Sequence, residues 1–172
     1  VNVHQDQAGW GDAVTEAAMR RDILLMKEAG FDLIRGSHYP HVPAFSQACD
    51  EEGMLFWSEA PFWGIGGFRP DGYWDSSAYP VDKKDAQAFE ASALQQLEEM
   101  MRIHRNHPSI VAWSMCNEAF FSAPEAMKGV RRLLKRMVDL THQLDPSRPA
   151  AIGGAQRPLG DERIDKIGDI GG

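Results

Sequence analysis

The chain has 172 residues, 43% of them hydrophobic and 25% charged, the composition of an ordinary globular domain rather than a disordered one. Its formal charge is -7 with no basic patch of the kind a nucleic-acid binder presents, no apolar run reaches the roughly 18 residues of a membrane span, and no signal-like start is visible. Two cysteines, Cys49 and Cys116, are too few for a disulfide framework, and the opening at Val1 without Met reads as a processed or excised piece.

In chain order, Val1–Val3 reads as the end of a strand. Thr15 then suits a helix N-cap, Met19, Ile23 and Met26 repeat at helical spacing, and Gly30 suits the residue just past the helix end. Phe31–Arg35 (F-D-L-I-R) is a short apolar run. Pro43 suits the first turn of a second helix, which carries Phe45 and Cys49 and stops at Gly53. Met54–Trp57 (M-L-F-W) is a further strand. A long helix carries Phe89, Ala93, Leu97 and Met101 and halts at Asn106-His107-Pro108. Ile110–Met115 (I-V-A-W-S-M) follows. A fourth helix, from about Pro124, carries Val130, Leu134, Met137 and Leu144, and Ala150–Gly153 (A-A-I-G) is the last strand read. The apolar runs are short and nearly continuous, as buried parallel strands are. Their alternation with helices predicts an α/β fold with a parallel sheet.

Two architectures fit, a doubly wound open sheet and a (β/α)₈ barrel. The glycines at 64, 66 and 67 follow a strand but open no helix, so a phosphate-cradling loop has weak support. A full barrel takes about 250 residues. The expectation is therefore a partial barrel with about its first five strands and four helices, and an irregular tail over 155–172.

The polar residues fall asymmetrically. His4 and Asp6 follow the first strand. Arg35, Ser37, His38 and Tyr39 follow the second, Ser58 and Glu59 the third, Asn117 and Glu118 the fourth. The opposite ends carry Gly30, Gly53, Pro108 and Pro149, which is turn chemistry. In a barrel the catalytic groups sit at the C-terminal ends of the strands.

Glu118 ends a strongly apolar strand, where partial desolvation raises a carboxyl pKa and suits a proton donor. A salt-bridged glutamate at a strand exit is an equal reading. For Glu59, an ion pair with Arg35 in the barrel mouth is at least as well supported as catalysis. His4, Asp6, His38 and His41 have permissive metal-ligand spacings, but such short spacings are common by chance and oriented, hydrogen-bonded histidines are the favoured reading. His104 and His107, at the far end of the long helix, read as structural. The stretch with Phe62, Trp63, Phe68, Tyr73, Trp74 and Tyr79 is long and aromatic. It fits a face for stacking sugar rings and a small satellite core equally well.

Three segments together resemble family 2 glycoside hydrolases, the β-galactosidase and β-glucuronidase group. Arg35-Gly36-Ser37-His38-Tyr39-Pro40 resembles that family's R-T-S-H-Y-P. Arg105-Asn106-His107-Pro108-Ser109 with Trp113-Ser114-Met115-Cys116-Asn117-Glu118 resembles its R-N-H-P-S…W-S-x-x-N-E. Val1-Asn2-Val3-His4-Gln5-Asp6 is similar to its G-V-N-x-H-x-D opening. Asp22–Lys27 and Asp145-Pro146-Ser147-Arg148-Pro149 match as well, so the likeness runs from Val1 to Pro149.

The resemblance implies a catalytic (β/α)₈ barrel, with residues 1–172 as its N-terminal part, that hydrolyses β-glycosides with retention. It implies Glu118 as acid/base, Asn117 on the sugar 2-hydroxyl, and Arg35, His38, His4 and Asp6 in the substrate site. Trp63 is taken as a stacking face. There are two departures. Some β-galactosidases carry E-T-H-G after the third strand as magnesium ligands; here Glu59-Ala60-Pro61-Phe62 stands there, so no metal and no cofactor is expected. The family nucleophile is a Glu ending the seventh strand, and neither Glu162 nor another tail carboxylate matches its context. It is expected beyond residue 172.

The partner expected is therefore a carbohydrate, a β-galactoside ahead of a β-glucuronide, with no nucleic acid and no membrane. A truncated barrel is expected to self-associate and to be inactive alone. The rival readings are a metal-dependent hydrolase on the same fold, through His4, Asp6 and His38, and a non-catalytic sugar-binding fragment.

Overall fold

The computed structural model describes residues 1–154 and 163–172. The elements follow in order as β1 (Asn2–Val3), α1 (Glu16–Glu28), β2 (Leu33–Gly36), α2 (Pro43–Glu52), β3 (Leu55–Glu59), the short strands β4 (Gly67–Phe68) and β5 (Trp74–Asp75), α3 (Ala86–His104), β6 (Ile110–Asn117), α4 (Met127–Leu144), β7 (Ala150–Gly153) and β8 (Ile170–Gly171). The punctuation read from sequence shapes the helices. The Thr15 hydroxyl accepts from the Ala18 amide at 3.2 Å, Pro43 opens α2, and Gly53 ends it in the left-handed region at φ 69°. The fourth helix begins as a 3₁₀ turn, Pro124–Ala126, before α4 proper.

Six strands form one parallel sheet in the order β1-β2-β3-β6-β7-β8. Among the described residues the order never reverses, and they contain no switch point of a doubly wound sheet. Each helix packs on the next, α1 on α2, α2 on α3 and α3 on α4, which sets the helical layer on one side. A side chain at Gly172, just past β8, would come within 3.1 Å of the Trp57 ring on β3. Those strands are three positions apart, about 14 Å in a flat sheet at roughly 4.8 Å per strand. The sheet is curled, and the chain forms part of a (β/α)₈ barrel.

Strand alternation sorts the side chains. On β6, Trp113 and Met115 face α4, where Trp113 Nε1 donates to Asp145 at 2.9 Å and Thr141 donates to the Met115 sulfur at 3.4 Å. Ser114 between them points the other way, into the barrel. On β3, Ser58 faces Met100 of α3 while Glu59 faces inward. The core of Ile34, Phe45, Phe56, Leu97, Trp113, Met115, Leu134 and Met137 fills the space between sheet and helices.

The D-P-S-R-P segment is a structural knot at the N-terminal end of the sheet. Asp145 accepts from Ser147, Trp113 and Arg148, and Arg148 in turn donates to the carbonyls of Ile110, His107 and Arg105. His104 and His107 belong to the same end, bonded to Ser46 at 3.0 Å and Asp50 at 2.6 Å.

The aromatic stretch after β3 contains an antiparallel hairpin of β4 and β5. One expectation is corrected: the tail over 155–172 is not simply irregular. Residues 155–162, Glu162 among them, lie outside the described residues; beyond them Ile164–Ile167 forms a 3₁₀ turn and β8 adds a sixth strand. The cause is a close approach to β7. Gly168 leaves no room for a Cβ, which would sit 2.8 Å from the Ala150 carbonyl, and Asp169 bonds both the N–H and the C=O of Ala150.

Candidate active site

The site is built on strand ends. Arg35 is on β2, Glu59 is the last residue of β3, Asn117 is the last of β6, and Glu118 follows it. Their hub is Glu59, whose side chain is completely buried. Arg35 Nε donates to Glu59 Oε2 at 2.9 Å and Arg35 Nη2 to Oε1 at 2.9 Å, a fork-on-fork pair. Ser114 Oγ donates to Oε2 at 2.8 Å and His38 Nδ1 lies 2.9 Å from Oε1. An ionised carboxylate only accepts, so Nδ1 of His38 carries hydrogen. The ion-pair reading of Glu59 holds.

Arg35 Nη2 also donates to Asn117 Oδ1 at 2.8 Å. That bond uses the amide oxygen and fixes the flip of Asn117, leaving its NH₂ as donor. Glycine makes the space for this network. A Cβ at Gly153, at the end of β7, would fall 2.4 Å from the Cys116 carbonyl, 2.6 Å from Glu59 Oε2 and 2.8 Å from Arg35 Nη2.

Glu118 leaves the strand with φ 47°, in the left-handed region, which costs a non-glycine residue about 1–2 kcal/mol. Its amide donates to the Gly153 carbonyl at 3.0 Å and its own carbonyl accepts from Phe121 at 2.9 Å. These bonds hold it in that conformation. The expected desolvation is corrected. Glu118 is exposed and its carboxylate has no hydrogen-bond partner among the described residues, because the turn out of the strand carries it onto the rim rather than into the core.

The other expected residues divide. His4 sits beside the hub, its ring 5.1 Å from that of His38, and the Tyr39 hydroxyl lies 3.4 Å from its Nδ1. Asp6 is exposed and not joined to the network. Trp63 is half exposed, and its neighbour Phe62 accepts from the Asn117 amide at 3.0 Å. His41 turns away into the core against Tyr39, Phe45 and Phe56. Burial pushes it down to about 4.

Among the described residues no group of three or more His, Cys, Asp or Glu side chains could hold a metal ion. Both Glu59 oxygens are taken by Arg35, His38 and Ser114, so that carboxylate does not fit the magnesium role it has where E-T-H-G stands. Cys49 and Cys116 are free and buried, and burial pushes both up to about 12, far from thiolate nucleophiles. The residues that sequence reading left out are Ser114, Gly153 and Gly154. The alternation along β6 pointed to Ser114; the glycines gave no signal beyond the end of a strand.

A partial parallel barrel whose carboxylates, arginine, histidines and asparagine gather at the C-terminal strand ends has the layout of a barrel glycosidase. The family model for glycosyl hydrolases family 2, TIM barrel domain, matches residues 1–168, and the chain belongs to that family. It is 33% identical over 153 residues to a β-glucuronidase of Bacteroides fragilis, covering 89% of this chain and 20% of that protein. To a β-galactosidase of Vibrio cholerae it is 32% identical over 154 residues, covering 90% of this chain and 13% of the relative. The solved structure of Bacteroides uniformis β-glucuronidase 2, covalently bound to cyclophellitol-6-carboxylate aziridine, superposes with a TM-score of 0.79 at 30% identity, covering 99% of this chain and 20% of that one. The chain thus spans a fifth or less of the length of these relatives.

Proposed function

We propose that this chain carries the acid/base half of a retaining β-glycosidase site. The observation that supports it is the Arg35–Glu59–Asn117 network, whose member Asn117 is the chain neighbour of Glu118. Glu118 protonates the departing glycosidic oxygen and then takes a proton from the water that opens the glycosyl-enzyme. Its exposed carboxylate, without a hydrogen-bond partner among the described residues, serves both steps. Asn117, its oxygen held by Arg35, offers its NH₂ to the sugar 2-hydroxyl, a bond that strengthens in the transition state. Arg35 and His38 set the charge and hydrogen-bond pattern of the floor. His4 and Asp6 contact the sugar from the β1 side, and Trp63 gives it an aromatic face.

Retention needs a second carboxylate about 5–5.5 Å from the acid. We read Glu59, held by Arg35, His38 and Ser114, as the carboxylate that orients these side chains, and place the nucleophile outside the described residues. The substrate is a β-linked hexopyranoside. β-Galactosides are the first class to test, with β-glucuronides in parallel, since relatives of both names match. Against the metal-hydrolase rival through His4, Asp6 and His38 stands the contact of His38 Nδ1 with Glu59 at 2.9 Å.

The test is the stereochemistry of the first product. In the active enzyme containing this chain, proton NMR of fresh hydrolysate should show the β-anomer first, with no loss of rate in EDTA. First release of the α-anomer, or activity that EDTA abolishes and magnesium or zinc restores, refutes the reading.

A further inference from the structure

We propose that Ser114 is a positioning residue for the contact with the sugar 2-hydroxyl, because it pins the extra residue in β6 that turns Asn117 into the barrel. The inference rests on the reading of Asn117 as the group that meets the 2-hydroxyl, and it names what holds that group in place.

The extra residue shows in the ladder between β6 and β7. Trp113 lies beside Ala150 and Ser114 beside Ala151, but Asn117 lies beside Gly153. From Ser114 to Asn117 the chain advances three residues on β6 against two on β7, so β6 bulges by one residue. The side chains record the same slip. Trp113 and Met115 bond to Asp145 and Thr141 on the helical side, and Ser114 between them points into the barrel. Strict alternation would then bring Cys116 into the barrel and turn Asn117 out of it. Instead Met115 and Cys116, consecutive in sequence, both join the apolar core, and Asn117 Oδ1 accepts from Arg35 Nη2 at 2.8 Å. A slip of one residue reverses the face of every side chain after it. Without the bulge Asn117 would face the helices and offer nothing to a sugar.

Ser114 stands at the root of the bulge. It is the register partner of Glu59 on β3, it is completely buried, and its hydroxyl donates to Glu59 Oε2 at 2.8 Å. The same hydroxyl reaches the Cys116 carbonyl, inside the bulge, at 3.3 Å. It has one proton to give, shared between the two acceptors with the nearer, charged carboxylate favoured. Gly153 closes the bulge from β7, since a Cβ there would fall 2.4 Å from that Cys116 carbonyl. Past the bulge, Asn117 N donates to Phe62 O at 3.0 Å and Glu118 N to Gly153 O at 3.0 Å. Two routes therefore join Ser114 to Asn117. One runs through the backbone of the bulge, the other through Glu59 and Arg35 to the Asn117 amide.

Packing alone does not call for a hydroxyl here. The positions that share the inward face with Ser114 are Ala112, two residues back on β6, and Ala151, its partner on β7, and both are buried. A methyl group fills such a position. The oxygen of Ser114 is what the bulge and the ion pair use.

The test compares 4-nitrophenyl β-glycosides with their 2-deoxy counterparts on the active enzyme containing this chain, galactose and glucuronic acid in parallel. The readout is the ratio of kcat/KM, parent over 2-deoxy, set against wild type. Ser114→Ala should lower that ratio about tenfold, through kcat more than KM, and Ser114→Thr, which keeps the hydroxyl, should restore most of it. Ser114→Cys, close in shape but a weak donor, reads the same ratio and serves if Ser114→Ala does not fold. A serine that only stabilised the fold would slow both substrates alike. A ratio within about twofold of wild type in whichever of these two variants folds, or no recovery in a folded Ser114→Thr enzyme, overturns the proposal. Asn117→Ala separates it from the reading beneath. If that variant loses the ratio by about 100-fold while the Ser114 variants keep it, only the role of Ser114 is removed; an unchanged ratio in Asn117→Ala removes both.

Discussion

Gly154 is the mould against which Glu118 is set: a Cβ there would fall 2.6 Å from Glu118 Cγ and 2.7 Å from its backbone nitrogen. Gly154 itself has φ 91°, so alanine at this position meets both backbone strain and a collision with backbone. In the active enzyme, Gly154→Ala should lower kcat about 10–100-fold on glycosides with poor leaving groups, with a smaller change in KM. It should also cost about 1–3 kcal/mol of stability. Wild-type kcat in a folded Gly154→Ala enzyme would separate this contact from catalysis.

The knot at the opposite end of the barrel is predicted to be a stability element. Burial alone would raise the Asp145 carboxyl, but bonds from Ser147, Trp113 and Arg148 outweigh it and carry it down to about 2. A depressed carboxyl contributes stability that is complete above its unfolded value near 3.8 and disappears as pH falls through the folded value. Arg148→Ala leaves that buried carboxylate without its cation, and it should cost about 3–5 kcal/mol in urea unfolding at pH 7. A midpoint within error of wild type would contradict this role.

Why some of this was legible and some was not follows from range. Thr15, Pro43 and Gly53 act within one helical turn, so the helix ends were readable. Glu59 and Asn117 end apolar runs, so the rim was readable as well. The sixth strand was not, because Ile170–Gly171 has no apolar run of its own and exists only through Gly168 and Asp169 meeting Ala150. The exposure of Glu118 depends on its left-handed turn and on Gly153, a residue on another strand. The hairpin went unread because two-residue strands give no periodicity, although Arg69-Pro70-Asp71-Gly72 between them is turn chemistry.

Mild acid should weaken the fold through two histidines. Burial holds His41 and His104 down to about 4, against 6.5 for an ordinary histidine. Between those values the unfolded chain binds more protons than the folded one, so stability falls as pH drops from about 6.5 to 4. The slope approaches about 1.4 kcal/mol per unit for each histidine. Urea midpoints at pH 7, 6 and 5 measure it, and His41→Phe should flatten part of the slope. Equal midpoints across that range would refute the prediction.

The 172-residue chain by itself should associate. In the described sheet β1 and β8 are edge strands, and unpaired parallel edges recruit other chains. Size-exclusion with light scattering should give a dimer or larger species at micromolar concentration, without turnover of nitrophenyl β-glycosides. A stable monomer with Glu118-dependent turnover would contradict both parts.

Chemical rescue of Glu118→Gln in the active enzyme tests Glu118 as the acid/base. The variant should lose at least about 100-fold on methyl β-glycosides and much less on 2,4-dinitrophenyl β-glycosides, whose leaving group needs no proton. Added azide should then raise turnover of the activated substrate and yield the β-glycosyl azide, because azide attacks the glycosyl-enzyme without a base. Equal losses on both substrates, with no azide product, would contradict it.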